Sequence, residues 1–362
     1  MDFTLDGTAQ AVSDVATDLV GRHTPVWDEQ FDAPGGLEVP LWSAMVESGV
    51  VALPLPEDRG GDTVGILGLL PLLTKLGESA GVTPAIGTLV AGLAIRESSS
   101  ALDRLAETIV AGGHVAIAIG EPGAALTTAP HTSLSGRRLT GTKTAVLHAD
   151  GAAALLVTTD SGIVLVDAAA DGVSITRTPA SSRWGEYTVR LENVAVDDAA
   201  LVSRDGRALR DLYRLGLAAY ADGILAGALR ITADHVSNRN QFGKPIGTFQ
   251  AVTQQIADIY VVGRSMNLAV TSAAWRLAEG LDADRDLSIA TYWLAAEMPS
   301  TLRTMTHLHG GVGVDITYPL HRYYSIIKDL ARIVGGATAR LDELAESSMF
   351  ADELADSTGQ EY

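Results

Sequence analysis

Residues Leu212 to Tyr260 read LYRLGLAAYADGILAGALRITADHVSNRNQFGKPIGTFQAVTQQIADIY, and no other stretch constrains the fold as strongly. Apolar residues recur there at three-to-four spacing on both sides of a short segment containing glycine and proline. That pattern predicts two long helices joined at a turn. Gly223 and Gly227, four apart on the first helix, would let another helix approach closely. A chain with two such helices needs further helices to cover them.

Composition narrows the class. The 362 residues are 47% hydrophobic and include only 13 prolines, which favours a compact globular chain over a disordered one. The formal net charge is −18, from 44 acidic and 26 basic residues. Nucleic acid and anionic membrane are therefore poor partners, and a phosphate-bearing ligand must be met by local basic groups against an unfavourable field. The absence of cysteine removes disulfides, thiolate metal sites and cysteine nucleophiles together. The start, MDFTLDG, has neither a basic n-region nor an apolar h-region. The longest uncharged run, Ser79 to Ile95, falls short of the roughly 20 apolar residues of a membrane span. A cytoplasmic protein with no membrane segment and no metal site is the expectation.

Taken in order, the chain divides into three. Residues 1–112 hold helical patterns at Leu5 to Arg22, Leu37 to Gly49 and Val64 to Leu76, with a loop at Pro54, Pro56 and Arg59-Gly60-Gly61. Residues 113–203 change to short β-branched or alternating runs: Val115 to Ile119, Ala153 to Thr158, Ile163 to Val166, Val173 to Thr176 and Tyr187 to Leu191. A mostly antiparallel β-domain is predicted. Residues 204–362 return to helix at Gly206 to Asn238, Phe249 to Glu279, Asp284 to His307, Tyr318 to Leu330 and Thr338 to Met349. The polar tail Asp352 to Tyr362 is expected to fray.

The turn carries the most specific motif. Arg239-x-Gln241-Phe242-Gly243-x-x-Ile246-x-x-Phe249-Gln250 resembles the flavin-binding signature of the acyl-CoA dehydrogenase superfamily. Read without the resemblance, an arginine and a glutamine solvating a helix corner would account for it. His307-Leu308-His309-Gly310-Gly311-Val312-Gly313 resembles the superfamily's Gln-x-x-Gly-Gly-x-Gly, with His307 at the glutamine position; alone, a glycine-rich helix end is a weak signal. The segment from Leu41 to Glu78, with its Pro56-Glu57 and Gly60-Gly61, resembles the superfamily's N-terminal domain. The order of helices, β-domain and helices matches as well. The resemblance thus implies a mainly α fold with a central β-domain: an N-terminal helical domain, an antiparallel β-domain and a C-terminal four-helix bundle.

What it implies about chemistry is selective. In the superfamily a carboxylate removes the α-proton of an acyl thioester while flavin takes the β-hydrogen as hydride. Arg239, Gln241, Phe242, Phe249 and Gln250, with His307, Gly310 and Gly311, occupy positions that reach the adenosine-diphosphate half of an FAD held mainly by a neighbouring subunit. The frame of the flavin-ring site survives in Glu121-Pro122, Gly141 and Lys143. Its contact positions do not: Gly120 stands for a threonine, Ala145 for an aromatic residue and Leu147 for a hydroxyl residue. The two places where the superfamily puts its glutamate base hold Tyr213 and Val334, and neither serves as a base near neutrality. Asp211 and Arg214 match an Asp-x-x-Arg that lines the acyl-CoA cleft, although an exposed i,i+3 ion pair fits them equally.

This pattern resembles the non-catalytic subunit of actinobacterial heterotetrameric (α2β2) steroid-CoA-type dehydrogenases. It implies FAD shared with a homologous catalytic partner, an acyl-CoA substrate of lipid or steroid catabolism, and an electron-transfer flavoprotein or similar acceptor. Two alternatives stay open. One is a self-sufficient dehydrogenase with a relocated base, for which Asp222, Asp315 and Asp329 are candidates. The other is a flavin-free binding subunit on the same fold.

Overall fold

The computed structural model describes residues 6–23, 37–94, 99–182 and 184–346. The ends of two expected helices, Leu5 and Met349, and the tail from Asp352 lie outside them. Among the described residues five helices come first: α1 (Gly7–Arg22), α2 (Val39–Glu47), α3 (Ile66–Glu78), α4 (Ala85–Ala94) and α5 (Ser99–Val110). Asp6 caps α1 by accepting from the Ala9 N–H at 2.8 Å. The uncharged run from Ser79 is thus a turn followed by α4, eight of whose ten residues are buried.

Eight strands follow: β1 (Val115–Ala118), β2 (Ser133–Ser135), β3 (Arg138–Leu147), β4 (Ala154–Thr159), β5 (Gly162–Asp167), β6 (Val173–Arg177), β7 (Glu186–Ala195) and β8 (Leu201–Ser203). They form two four-stranded sheets, ordered β1-β4-β5-β8 and β2-β3-β7-β6, in which only the β1–β4 pairing is parallel. Strand alternation assigns each side chain to one of two cores. Val115, Ile117, Leu156, Ile163 and Leu165 face the helices, while Ala116, Ala118, Leu155, Val157, Val164 and Val166 meet the second sheet. The second core is completed by Leu139, Val146, Val189 and Leu191. A buried ion pair stitches the sheets together. Lys143 Nζ on β3 lies 2.7 Å from Glu121 Oε1 and donates to Thr158 Oγ1 on β4 at 3.1 Å. Thr132 and His131 also donate to Glu121. Burial works to raise the Glu121 pKa, but these donors outweigh it and hold the carboxyl at about 2.

The second helical region comprises α6 (Arg207–Asn238), α7 (Gln250–Ala278), α8 (Asp284–Tyr292), a π turn (Trp293–Glu297), α9 (Met298–His309), α10 (Leu320–Ile333) and α11 (Gly336–Glu346). The predicted helix from Asp284 is therefore α8 and α9 run together through the π turn. The fold is mainly α around a central β-domain, as the sequence predicts. The helices before and after the sheets share one core, centred on α6. Among the described residues α6 alone is long and apolar enough to cross a membrane, and 78% of its apolar window is buried against its neighbours.

That burial depends on glycine. A Cβ on Gly223 would stand 1.9 Å from the Thr74 carbonyl oxygen, one on Gly227 2.2 Å from that of Glu78, and one on Gly77 2.0 Å from that of Tyr220. The close approach expected at Gly223 and Gly227 is thus made by α3, backbone to backbone. Because both clashing atoms are main chain, no rotamer change relieves them. Gly223→Ala is expected to cost about 3 kcal/mol or more, read as a fall in Tm. Gly263→Ala is the control: its Cβ would meet only the Leu225 side chain, at 3.7 Å. That change should be neutral or stabilising by up to about 1 kcal/mol.

Candidate functional site

The exposed corner after α6 is built from a strained turn. Arg239 leaves the helix extended, its N–H still donating to the His235 carbonyl at 2.8 Å. Asn240–Gln241 then pairs antiparallel with Lys244–Pro245. Between them Phe242 and Gly243 have φ of 53° and 81°, as a type I′ hairpin turn requires. Phenylalanine rarely adopts such a conformation, and it costs on the order of 1 kcal/mol or more. Its ring is nevertheless 91% exposed. It meets Phe249 edge-on at 6.1 Å, and Lys244 Nζ stands 4.4 Å from the centre of the Phe249 ring. Arg239, Gln241 and Gln250 are all exposed. Helix α7 starts at this corner with no side-chain cap, so its first-turn N–H groups are available there.

A second segment joins this corner. Helix α9 ends at His309, and Gly310 reverses the chain at φ 63°, ψ −142°, which suits only glycine. Gly311 is not left-handed, and a Cβ on it would meet nothing among the described residues within 4 Å. Nothing among the described residues requires glycine at that position, whereas close approach by an outside molecule would. His307 is exposed on the last turn of α9. The two segments are held together by His235 and His309, whose rings stack at 4.2 Å and 24°, with Tyr318 tilted against His309 at 5.4 Å. Burial first, and then the neighbouring His309 and Arg239, keep His235 below the ordinary imidazole range; burial does the same for His309. The His235–His309 stack thus links the two segments that carry the eight residues the resemblance implies at a cofactor. Their chemistry, a guanidinium, amide side chains, an uncapped helix N-terminus and an unobstructed glycine, fits the pyrophosphate half of FAD.

The interior gives the opposite result. Tyr213 and Leu147 meet, with Thr83, Ile86, Val115, Ile117, His148 and Trp184, around a cavity of about 10 Å³. That is about the space one water needs, whereas ligand pockets run to roughly 300–1,000 Å³. The space is closed by Trp184, which sits just before β7 and is fully buried. Its indole N–H donates to His148 Nε2, and its ring packs 5.3 Å from Tyr220. His114 Nε2 donates to the His148 carbonyl at 2.9 Å. Ser181 and Ser182 pin this loop to Asp329 of α10. The positions around the ring frame are closed as well. A Cβ on Gly120 would lie 2.8 Å from the Thr144 carbonyl oxygen, Ala145 sits in a bulge at φ 55°, and Val334 is buried. An isoalloxazine ring does not fit here.

Tyr213 Oη is buried without a hydrogen-bond partner among the described residues. Burial first, and Glu186 second, raise its pKa well above the ordinary phenol value. Glu186 is therefore the carboxylate nearest in effect to the first base position, and sequence patterning does not single it out. One of its oxygens is ion-paired with Arg332. None of Asp222, Asp315 and Asp329 lines the cavity.

Asp211 and Arg214 are not an exposed pair. Arg214 is completely buried and reaches Glu343 at 2.7 Å, Ser288 at 3.1 Å, Asp284 at 3.5 Å and Asp211 at 3.8 Å. They tie α6 to α8 and α11. Spacing along one helix could not reveal partners supplied by two others. Trp184 did leave a signal in the sequence: a lone tryptophan shortly after the loop-forming run Pro179-Ala180-Ser181-Ser182.

The family model for the acyl-CoA dehydrogenase C-terminal domain matches residues 210–348. The chain is 45% identical to Acyl-CoA dehydrogenase FadE28 of Mycobacterium tuberculosis, over 95% of this chain and 98% of that protein. Among solved structures, the ChsE4-ChsE5 complex from Mycobacterium tuberculosis contains a similar chain, with a TM-score of 0.87 and 32% identity over 96% of this chain and 100% of that one. A Tcur3481-Tcur3483 steroid ACAD variant gives a TM-score of 0.85 and 33% identity, over 96% and 98%.

The cavity wall makes a pH prediction. Burial, reinforced by His114, brings His148 down to about 3, so the folded protein keeps it neutral. Below pH 6.5 the unfolded chain takes up a proton that the folded chain refuses, so stability is lost as pH falls from 6.5 towards 3. The loss should approach about 1.4 kcal/mol per pH unit from this group. Denaturant titrations at pH 7, 6 and 5 should show the decline, and His148→Gln should make it shallower, leaving the part due to His114, His235 and His309.

Proposed function

Because the chain belongs to the acyl-CoA dehydrogenase family, whose members are FAD-dependent oxidoreductases, we propose that it is the non-catalytic subunit of a heteromeric, α2β2 enzyme. In this reading its exposed corner completes the FAD site of a homologous catalytic subunit. The substrate would be the CoA thioester of a steroid side chain, and electrons would leave through an electron-transfer flavoprotein or a similar acceptor. One contrast carries the reading: the cofactor residues are assembled on the surface, while the interior position of ring and base is reduced to about 10 Å³. The similarity to chains of two solved heteromers, one of them a steroid enzyme by its title, supports the assembly and the substrate class.

Arg239 would bind the pyrophosphate as a planar fork, with Gln241, Gln250 and His307 donating beside it. Gly310 and Gly311 would admit the ligand close to the backbone, and Phe242 and Phe249 would shield that contact from water. Bound flavin supplies the hydride-accepting chemistry. On this chain's own side, Trp184 and Tyr213 exclude substrate, and the proton-abstracting carboxylate is left to the partner.

The test uses the chain alone and with a homologous subunit that has intact base and flavin-ring positions. Alone, it should be colourless near 450 nm and turn over no acyl-CoA with an acceptor dye. Stoichiometric flavin with turnover would establish a self-sufficient dehydrogenase instead, and Glu186→Gln would then test the base. Co-purified, the complex should carry FAD, and Arg239→Ala should weaken FAD retention at least tenfold, read by flavin fluorescence on dilution. Full FAD and activity after that change would leave this chain a flavin-free binder.

A further inference from the structure

Helix α7 carries Tyr260, Val261 and Leu268 at 57%, 59% and 58% exposure, a large apolar stripe for a free surface. Beside it a pocket of about 220 Å³ opens between α3, α6 and α7. Its walls are Leu225, Ala226 and Leu229, and Asp222 lies inside it. Asp222 is only 6% exposed and accepts one hydrogen bond, from Asn267 at 2.9 Å. Among the described residues no lysine or arginine nitrogen comes within 4 Å of it, and Glu78, on the opposite wall, is already paired with Lys75 at 2.8 Å. Arg264 stands at the mouth without an ion pair to Asp222. Burial therefore dominates, with the Asn267 hydrogen bond opposing it, and the carboxyl is raised to about 6. Arg264 acts on it only from a distance, and a buried carboxylate with no cation in contact is costly unless something supplies one.

We propose that the α7 face docks the homologous partner subunit and that a lysine or arginine of that partner enters this pocket, its alkyl stem along Leu225 and Leu229 and its charge on Asp222. An apolar channel ending in a carboxylate matches that side-chain chemistry. A second copy of this chain, at −18 like the first, is the poorer occupant. Continuity supports the choice, because α7 begins at the cofactor corner and the stripe continues along the same helix. The inference rests on the assembly proposed above and names a contact remote from the flavin.

The experiment measures the dissociation constant of the co-purified complex at two salt concentrations, with FAD content read separately. Asp222→Asn should leave the Tm of the isolated chain within a few degrees, weaken assembly at least tenfold and reduce its salt dependence. Val261→Glu should weaken assembly without changing the FAD affinity of whatever complex still forms. Unchanged affinity and salt dependence in Asp222→Asn, with FAD still bound, would overturn the socket and leave the flavin role standing. A matching loss of Tm in Asp222→Asn and Arg264→Gln would show Arg264 filling the pocket in solution and would also overturn it. Self-association of the chain alone through Val261, as tight as the mixed complex, would give the face to a second copy. No association of the two subunits would sink both readings.

Discussion

The structure depends on the contact between the backbones of α3 and α6 at Gly77, Gly223 and Gly227. Any Cβ at these positions would fall about 2 Å from a carbonyl oxygen, so α6 sits at a depth that only glycine permits. Every feature of functional interest is then measured from α6. Asp211, Tyr213 and Arg214 lie on its buried first half, Tyr220 and Asp222 at its middle, and His235 and Arg239 at its exposed end. A shift of one helix would move the cavity, the pocket and the cofactor corner together.

The two ends of α6 have opposite surroundings. Near Tyr213, indole, imidazole and aliphatic groups fill the space from three directions, and the hydrogen bonds of Trp184, His114, Ser181 and Ser182 fix the filling in place. At Arg239 the polar groups point outward, and the turn holds a phenylalanine in water at an unfavourable φ. Folding alone explains the first end, because it buries nearly everything it touches, although Tyr213 Oη and one oxygen each of Asp211 and Glu186 are left without hydrogen bonds among the described residues. It does not explain the second, where strain and exposure both run against the chain's own stability.

Much of this was legible in the sequence, for local reasons. Helical spacing found α1, α2, α3, α6 and α7, and glycine spacing announced the close helix contact. The turn and the glycine loop, which carry the eight positions that the resemblance implies at a cofactor, each follow a helix end, although nothing in the sequence showed that His235 and His309 would stack to join them. Helices α4 and α5 were missed: the first is too evenly apolar to show a periodicity, and the second follows Ile95 without a clear starting signal. Strand β3 was hidden by Gly141, Lys143 and the bulge at Ala145. The burial of Arg214 and the closing of the Tyr213 cavity depend on residues far away in sequence, from Trp184 to Glu343. Side-chain replacements at Gly120, Ala145 and Leu147 could say that contacts were missing, but not that Trp184 had taken the space.

The filled cavity also bears on the order of events in making the protein. An enzyme whose core is built around a cofactor has an incomplete state before loading, with apolar walls open to solvent. Here the corresponding walls already touch one another, so this polypeptide can reach its final packing during synthesis with nothing bound. Under the proposed assembly its maturation would be a matter of encounter with another folded molecule, and the timing of that encounter need not be matched to the supply of a small molecule.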